Sequence, residues 1–313
     1  MTEIPIAITC GDPAGVGPEI IEAWLRANPE PSCPFCVIGP HPWVKALAEW
    51  AVATEWVGPK NLKVTPGQPT VKGAEVAFEA LEVAAAGCRE GLFRAVVTGP
   101  VSKLWMQQAG FPFPGQTEFF AERWEGDPTM AFVGQNMRVI LATWHIPLTE
   151  VASHLNHGTL SRAVLRAEQL VRRLGVENPR IGVCGLNPHA GEKGLLGEEE
   201  EECLNSILNA LREDCPGLSK CEPGDTLFWR HLQGEFDAVI ALYHDQGLGP
   251  LKTIDFNTAV NVTLGLPWVR TSPDHGTGFA IAGKGCASVE SFSNAVSLAQ
   301  QLSQPITKIQ KRD

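Results

Sequence analysis

Three histidines follow apolar runs of the kind that form buried strands. His145, His189 and His244 each stand where such a run gives way to a polar loop. Short continuous apolar runs are typical of parallel sheets covered on both faces, and such sheets bind ligands beyond the carboxyl ends of their strands. Three imidazoles at that edge could hold a divalent metal and leave a position open for substrate, as catalytic metal sites do. The alternative is three separate histidines that only make structural hydrogen bonds.

Cationic and amide side chains follow the third histidine closely in the sequence. Lys252, Asn261 and Arg270 come after His244, and a lysine and an arginine that converge beside a metal would suit a phosphate or carboxylate group. Lys103 is a further candidate for the same role. The alternative interpretation is that these residues are solvated surface charges.

Two glycine-rich segments are candidates for contact with a ligand. Residues 11–19 follow a predicted strand and open a predicted helix, where backbone N–H groups favour anions. Ile20 stands where a dinucleotide-binding fingerprint has its third glycine, so a tight turn explains this segment equally well. Residues 274–285 are also rich in glycine, which would let the backbone approach a ligand closely, although loop flexibility alone would account for them too.

The composition limits the classes of partner. The chain has 313 residues, of which 44% are hydrophobic, and a formal net charge of −10, which argues against nucleic acid or an anionic membrane as the main partner. Its apolar stretches are shorter than the ~18 residues that a membrane span requires, and its first residues do not resemble a signal peptide. The nine cysteines are predicted to be reduced thiols of a cytoplasmic protein.

Predicted strands and helices alternate along the chain, which indicates βαβ units around a parallel sheet. Strands are predicted over residues 4–9 and 95–98 and in the three runs before the histidines. Helices are predicted from residue 18 onward and over 73–87, 160–174, 198–211 and 289–302, with Gly87 and Gly175 ending the second and third of them. The sequence therefore predicts an α/β protein.

Eight short motifs, taken in order, cover nearly the whole chain. They are Gly11-Asp-Pro-Ala-Gly-Val-Gly-Pro-Glu19, Thr98-Gly-Pro-Val-Ser-Lys103, Gly115-Gln-Thr-Glu-Phe-Phe120, Gly185-Leu-Asn-Pro-His-Ala-Gly-Glu192, Gly224-Asp-Thr-Leu-Phe228, Tyr243-His-Asp-Gln-Gly247, Val260-Asn-Val-Thr-Leu-Gly-Leu-Pro267 and Arg270-Thr-Ser-Pro-Asp-His-Gly-Thr277. The ordered set resembles the 4-hydroxythreonine-4-phosphate dehydrogenase family of vitamin B6 biosynthesis, also called the PdxA family. A single motif would be weak evidence, whereas the complete set is highly specific.

The resemblance implies a role for particular residues. The metal ligands it implies are His145, His189 and His244, with the third ligand donated across a dimer interface. The substrate-binding residues are Gln116, Thr117, Lys252, Asn261 and Arg270. The catalytic candidates are Lys252 and two acidic residues that match positions near the metal, Asp225 and Asp245. The loop after residue 274 is similar to the cofactor loop of isocitrate and isopropylmalate dehydrogenases, which makes His275, Gly276 and Thr277 candidates for cofactor binding.

The resemblance also implies an architecture and a reaction. We expect two α/β/α domains of the isocitrate/isopropylmalate dehydrogenase type with the active site in the cleft between them. Residues 1–115 plus 265–313 would form the cofactor-loop domain, and residues 116–264 the metal, substrate and dimerisation domain. A homodimer would use NAD or NADP and one divalent metal per site, zinc, cobalt or magnesium, to oxidise 4-phosphohydroxy-L-threonine. The keto acid formed would then lose CO2 to give 3-amino-2-oxopropyl phosphate.

One residue departs from the family pattern and keeps other substrates open. Gln116 stands where the family motif usually reads Gly-His-Thr-Glu, and a glutamine carries neither a proton nor a positive charge near pH 7. Relatives that act on other four-carbon acid phosphates, such as threonate or erythronate 4-phosphate, or on dihydrodiol carboxylates share most of the motifs. From other classes, a metal-dependent hydrolase of a phosphorylated small molecule would use the same histidines, and a catalytically silent metal- or nucleotide-binding protein is favoured only by Gln116.

Overall fold

A computed structural model describes residues 3–47, 50 and 52–304 of the chain. The strands in this part are β1 Ile6–Thr9, β2 Phe35–Pro40, β3 Ala53–Val57, β4 Ala95–Thr98, β5 Thr129–Val133, β6 Arg138–Leu141, β7 Ile181–Cys184, β8 Leu218–Glu222, β9 Ala238–Ala241, β10 Val260–Leu264 and β11 Val269–Pro273. The α-helices are α1 Gly17–Ala27, α2 His41–Leu47, α3 Val71–Arg89, α4 Lys103–Gln108, α5 Gln116–Trp124, α6 Val151–His154, α7 His157–Arg173, α8 Asn205–Leu211, α9 Gly224–Leu232, α10 His244–Ile254 and α11 Glu290–Leu302. Strands and helices alternate as predicted.

All the strands of the described part join one mixed sheet in the order β3-β2-β1-β4-β11-β10-β5-β6-β9-β7-β8. The pairs toward both edges are parallel, as the sequence predicts. The centre of the sheet adds an antiparallel part, where β10 is antiparallel to β11 and β5, and β5 is antiparallel to β6. The connections 134–137 and 265–268 are too short for a crossover, so the strands that they join must run in opposite directions.

Most predicted helix limits agree with the structure, but one helix end does not. Helix α1 begins at Gly17, one residue before the predicted start, and Gly175 follows α7 with a φ of 97°, as expected for a residue that ends a helix. Gly87 lies inside α3, which continues to Arg89. A Cβ atom at Gly87 would come within 2.4 Å of the Phe93 ring, so this glycine permits close packing, while Gly91, at φ 74°, follows the end of the helix.

Helices cover both faces of the sheet and leave a gap on one of them. On the first face, α1, α7 and α11 pack into one apolar cluster that runs across the sheet. On the second face there are two separate clusters, one beneath α3 and α5 and one beneath α9 and α10. This is an α/β architecture of three layers, and the gap between the two clusters exposes the centre of the sheet. The division into domains 1–115 plus 265–313 and 116–264 stays a prediction.

Two further sequence expectations concern the thiols and membrane insertion. All nine cysteines lie in the described residues and are free thiols, as predicted. Burial raises the pKa of Cys36, in the Cys-x-x-Cys segment 33–36, to about 11, so this thiol is protonated near neutral pH. Within the described ranges, no helix combines the length and the apolarity needed to cross a bilayer.

Candidate active site

A cleft of about 570 Å3 occupies the gap between the two clusters. Its floor is the exposed face of the antiparallel strands β5, β10 and β11, from which Phe132, Asn261 and Arg270 point into the cleft. Its walls are the loop after β4, the start of α5, the turn after β6, helix α10 and the loop after β11. All five residues that the sequence assigned to substrate therefore line one cavity. The floor is a sheet face rather than the strand ends alone, because the antiparallel strands open that face.

Arg270 is a buried cation held in a fixed orientation on the floor. Its side chain is only 4% exposed. One guanidinium nitrogen donates to Asn261 Oδ1 (3.0 Å) and Thr263 Oγ1 (3.3 Å), and the other donates to Thr98 Oγ1 (2.8 Å) and Gln116 Oε1 (3.0 Å). Burial lowers the pKa of Arg270 to about 10, so the group is still charged at neutral pH. All four acceptors are neutral, so Arg270 makes no hydrogen bond to a carboxylate and can still pair with an anionic ligand, although the negative charge of Glu118 in the same cleft acts on it.

Gln116 is the first residue of α5, and its side chain belongs to the framework of the site. Its amide oxygen accepts the hydrogen bond from Arg270, and its Nε2 donates to the carbonyl of Gly99 at 3.3 Å. The next residue, Thr117, is 5% exposed and shares a 3.5 Å hydroxyl contact with Thr263. Glutamine thus fulfils a hydrogen-bonding role at this position without adding charge to the cleft.

Lys252 is paired with an acidic residue that sequence reasoning did not assign to it. The Lys252 ammonium lies 2.6 Å from the Asp274 carboxylate and donates to the Asp274 carbonyl at 2.7 Å. Burial raises the pKa of Asp274 above its ordinary value, in spite of the nearby lysine. The Lys252–Asp274 pair connects α10 to the loop after β11. It also places two side chains that can exchange a proton, an ammonium and a carboxylate, at the cleft wall.

The raised pKa of Asp274 predicts a dependence of stability on pH. The folded protein binds this proton more tightly than the unfolded chain does, so the stabilisation is complete below about pH 4 and is lost as the pH rises through the folded pKa. Asp274→Asn removes the titration. The free energy of unfolding of the wild type, measured relative to that of the variant by chemical denaturation, is therefore expected to decrease as the pH rises from about 4 through the folded pKa of Asp274.

A matched control for this titration is Asp214→Asn, because Asp214 is exposed. That variant should follow the wild type at each pH. A difference between the wild type and Asp274→Asn that did not change with pH would contradict the account of Asp274.

The three predicted metal ligands follow three neighbouring parallel strands, β6, β9 and β7, but only two of them reach the cleft. His145 and His244 line it, with ring centres 5.7 Å apart and ring planes inclined by 35°. Burial, followed by the charge of Lys103, lowers the pKa of His145, which favours the neutral ring that a metal requires. His189 is exposed and is not among the described residues that line the cleft.

Backbone conformation marks two of these histidines as unusual. His145 and His189 have φ values of 51° and 55°, and they are among only six non-glycine residues of the described part with positive φ. Such conformations cost free energy and cluster at functional sites. The third histidine, His244, donates from Nδ1 to the Asp245 carboxylate at 2.7 Å, so its Nε2 lone pair faces away from that bond and is free for a metal.

Within one chain, the cleft supplies some but not all of the side-chain ligands that a metal ion needs. Two imidazoles at the observed separation suit a zinc-type ion, which prefers nitrogen ligands. In the described part of this single chain, however, no three His, Cys, Asp or Glu side chains form a group able to hold a metal ion. The cleft thus offers two ligands of such a site, and a third must come from a rearrangement of His189 or from another chain.

The loop after β11 fits a further ligand beside these residues. His275 and Gly276 line the cleft, and the Nε2 atom of His275 is buried with no hydrogen-bond partner among the described residues. A Cβ atom at Gly276 would meet no described atom within 4 Å, so the loop leaves open space there. Thr277 does not line the cleft, because its carbonyl is bonded to the N–H of Val16 at 2.8 Å.

Two proposed catalytic acids lie outside the cleft lining, and besides Asp274 a second carboxylate inside it was missed. Asp225 is exposed in the first turn of α9, and the Asp245 side chain is 91% exposed, although it contacts His244. Glu118 does line the cleft, and its Oε2 atom is buried without a partner in the described residues. Glu118 could have been predicted as a site residue, because it stands two residues after Gln116 in the third motif. Lys103, named from the sequence, also lines the cleft.

Comparison with known proteins gives consistent matches over most of the chain. The model of the family described as pyridoxal phosphate biosynthetic protein PdxA matches residues 41–299. A 4-hydroxythreonine-4-phosphate dehydrogenase of Zymomonas mobilis is 40% identical over 301 residues, which cover 90% of each protein. The crystal structure of a 4-hydroxythreonine-4-phosphate dehydrogenase from Klebsiella pneumoniae is 34% identical and superposes with a TM-score of 0.79, covering 96% of this chain and 100% of that one.

A more distant structural match concerns the fold alone. An isocitrate dehydrogenase from Methylococcus capsulatus is 13% identical and has a TM-score of 0.50, covering 96% of this chain and 86% of that one. The expected relation to the isocitrate dehydrogenase type of fold is therefore confirmed.

Proposed function

The chain belongs to the PdxA family of pyridoxal phosphate biosynthetic proteins, and on that premise we propose that it is a cytoplasmic 4-hydroxythreonine-4-phosphate dehydrogenase. It would oxidise 4-phosphohydroxy-L-threonine to 2-amino-3-oxo-4-phosphooxybutanoate, which loses CO2 to give 3-amino-2-oxopropyl phosphate. The observation that carries the proposal is the buried guanidinium of Arg270 on the floor of the cleft, whose hydrogen bonds go to neutral acceptors only, with Lys103 and the Asp274-paired Lys252 in the same lining. Such a site is built for a small molecule with several negative charges.

The residues of the floor would bind and orient the substrate. Arg270, held by its four acceptors, would bind one anionic end of the substrate, and Lys103 and Lys252, which line the same cleft, would bind the other. Thr117 and Asn261 add polar groups between these cations. Because these side chains are held by the fold before the substrate arrives, little orientation remains to be fixed on binding.

The histidines and the loop after β11 would hold the cofactors. His145 and His244 would ligate one zinc, cobalt or magnesium ion together with His189, and His275, Gly276 and Thr277 would contact NAD or NADP. When bound, the metal supplies Lewis acidity at the substrate hydroxyl, and the dinucleotide supplies a hydride acceptor. Asp245 would keep the His244 ring in the tautomer that presents Nε2.

Proton transfer is best assigned to Lys252. Its ammonium lies at the cleft wall and is bonded to Asp274, whose carboxylate can take up or release a proton as the lysine changes its charge. We retain Asp225 and Asp245 as further catalytic candidates, although both are exposed. They would need to approach the cleft from another chain or after a movement.

An assay of both nicotinamide reduction and phosphate release distinguishes the proposed dehydrogenase from a hydrolase. We expect purified protein to reduce NAD or NADP with 4-phosphohydroxy-L-threonine, to depend on an added divalent metal, and to release no inorganic phosphate. Phosphate release without a dinucleotide would instead favour a metal-dependent hydrolase. The Gln116 amide is hydrogen-bonded to Arg270 and to the Gly99 carbonyl, and this residue departs from the histidine of the family motif. Threonate and erythronate 4-phosphates are therefore tested as substrates in the same assay. Activity on these alone would keep the chemistry and change the substrate.

We also propose a homodimer in which His189 completes the site of the neighbouring chain. His189 is exposed and lies in a turn that is followed by two exposed leucines, Leu195 (78%) and Leu196 (44%). Helix α9 packs against this turn and exposes Trp229 by 62%. Apolar side chains grouped around an exposed potential ligand favour an interface with another protein chain.

Mixed dimers test the shared site. If His189 acts in the neighbouring chain, then mixing inactive His189→Ala with inactive His244→Ala chains should restore activity, because one of the two sites in a mixed dimer keeps all three ligands. With random exchange, half of the dimers are mixed and each has one intact site, so about a quarter of the wild-type activity is expected.

The negative control uses the two histidines that share one cleft. Mixing His145→Ala with His244→Ala should restore nothing, since each site of the mixed dimer then lacks one ligand. Rescue by this pair, or no rescue by the first pair despite proven subunit exchange, would contradict a site that takes His189 from the neighbour.

A further inference from the structure

A run of five glutamates contains one that is completely buried. Glu198, Glu199, Glu201 and Glu202 are exposed, as expected for a run of like charges, whereas Glu200 has no exposed surface. The helix that begins here opens with a π-helical turn, Glu200–Leu204, before it continues as α8. Such turns are rare and are frequent at functional sites.

The buried carboxylate is bound by the loop that precedes His189. Its Oε1 atom accepts hydrogen bonds from the backbone N–H groups of Leu186 (2.8 Å) and Asn187 (2.7 Å). Its Oε2 atom accepts one from Asn187 Nδ2 at 2.9 Å. Hydrogen bonds to an ionised acceptor are stronger than neutral ones, so Glu200 fixes the loop two residues before His189.

Two glycines make room for this carboxylate. A Cβ atom at Gly191 would lie 2.9 Å from Glu200 Oε2, and one at Gly185 would lie 3.2 Å from Oε1. Both glycines belong to the same motif as His189. Close packing around an ionised group with three fixed donors leaves little freedom to the loop.

The segment that carries His189 needs such a restraint. Residues 189–193 all have positive φ values, between 42° and 77°. A left-handed conformation is unfavourable for residues other than glycine, and four of these five residues are not glycine, so the turn forms only when the surrounding structure imposes it. The bonds of Glu200 lie immediately before this turn and are the contacts best placed to impose it.

We propose that Glu200 is the positioning residue of His189, and that its buried carboxylate holds the left-handed turn in the form that presents this histidine to a metal ion. The inference rests on the proposed function, because it takes His189 as a metal ligand. Glu200 itself touches neither metal nor substrate. It acts through the two backbone N–H groups that it binds.

The variant that tests this role is Glu200→Gln. It keeps the shape of the side chain but replaces one acceptor oxygen by an NH2 group, which must face donors that it cannot satisfy. The matched control is Glu201→Gln, the same change at the exposed neighbour. We expect the amides of Leu186 and Asn187 to exchange hydrogen at least about tenfold faster in Glu200→Gln, and exchange at distant strands to stay unchanged.

The second readout is the affinity of the full-length protein for zinc, measured by competition with a chelator. Glu200→Gln is expected to bind zinc about 10- to 100-fold more weakly than wild type, as second-sphere changes do, and Glu201→Gln is expected to bind as wild type does. If Glu200→Gln does not fold, then Asn187→Ala, which removes the side-chain contacts to Glu200 Oε2 and Glu199 Oε2 but keeps both backbone contacts to Oε1, should show the same two effects at smaller size.

The outcomes separate this inference from the proposed function. Wild-type zinc affinity in Glu200→Gln, together with loss of zinc in His189→Ala, would overturn the positioning role and leave the metal site intact. Unchanged exchange at Leu186 and Asn187 would overturn it as well. A wild-type protein without zinc affinity or metal-dependent turnover would overturn the proposed function, and the positioning role with it.

Discussion

Replacing His145 with alanine is expected to abolish measurable turnover and to weaken zinc binding by about 100-fold or more. A complete zinc site of four ligands binds with roughly 10–16 kcal/mol, so one ligand accounts for about 2.5–4 kcal/mol, and each 1.4 kcal/mol is tenfold. The side chain lies at the cleft wall opposite His244, with 5.7 Å between the ring centres, and alanine leaves no donor there. Steady-state kinetics and zinc competition on the same preparation measure both effects.

The control is His157→Ala, since His157 is exposed at the start of α7. It should retain both turnover and zinc affinity. A His145→Ala protein that binds zinc as tightly as the wild type would contradict the assignment of this histidine as a ligand.

Replacing Arg270 with lysine is expected to lower kcat/KM by about 100-fold or more, although the positive charge is retained. The guanidinium reaches acceptors on both sides through separate nitrogens, Asn261 Oδ1 through one and Thr98 Oγ1 through the other, and a single ammonium cannot span them. Hydrogen bonds to charged groups are worth about 1.5–3 kcal/mol each, so losing two of them displaces the charge and leaves buried acceptors unpaired. The melting temperature should fall as well.

The matched control for Arg270→Lys is Arg26→Lys, because the Arg26 side chain is 68% exposed. The Arg26→Lys variant should keep both the kcat/KM and the melting temperature of the wild type. If folded Arg270→Lys protein kept the kcat/KM of the wild type, the guanidinium would not be the anion receptor of the site.

The positions of the histidines could be predicted because they depend on local pattern. Each follows an apolar run, and the runs form β6, β7 and β9 as expected. The order of the strands depends on pairing between distant segments, and nothing in the sequence of a single run specifies its neighbour in the sheet. The exposure of His189 could not be predicted from the sequence either. It results from a left-handed turn that the flanking glycines permit but do not require.

The floor of the cleft was missed for a different reason. The segment of β5 is largely apolar, whereas β10 (Val-Asn-Val-Thr-Leu) alternates apolar and polar residues, as antiparallel strands often do. That alternation and the short connections 134–137 and 265–268 were the available signals that the chain turns back. The sequence also could not predict which residues the charged groups contact. Asp274 lies 22 residues from Lys252, and Glu200 stands in a glutamate run whose composition indicates exposure.

The identity of the product tests the central claim most directly. Purified protein with zinc, NAD or NADP and 4-phosphohydroxy-L-threonine is predicted to form 3-amino-2-oxopropyl phosphate, in amounts equal to the reduced nicotinamide and the CO2 released, as followed by mass spectrometry and absorbance. Omission of the metal should stop all three. Inorganic phosphate as the product, or reduced nicotinamide only with other four-carbon acid phosphates, would contradict the account.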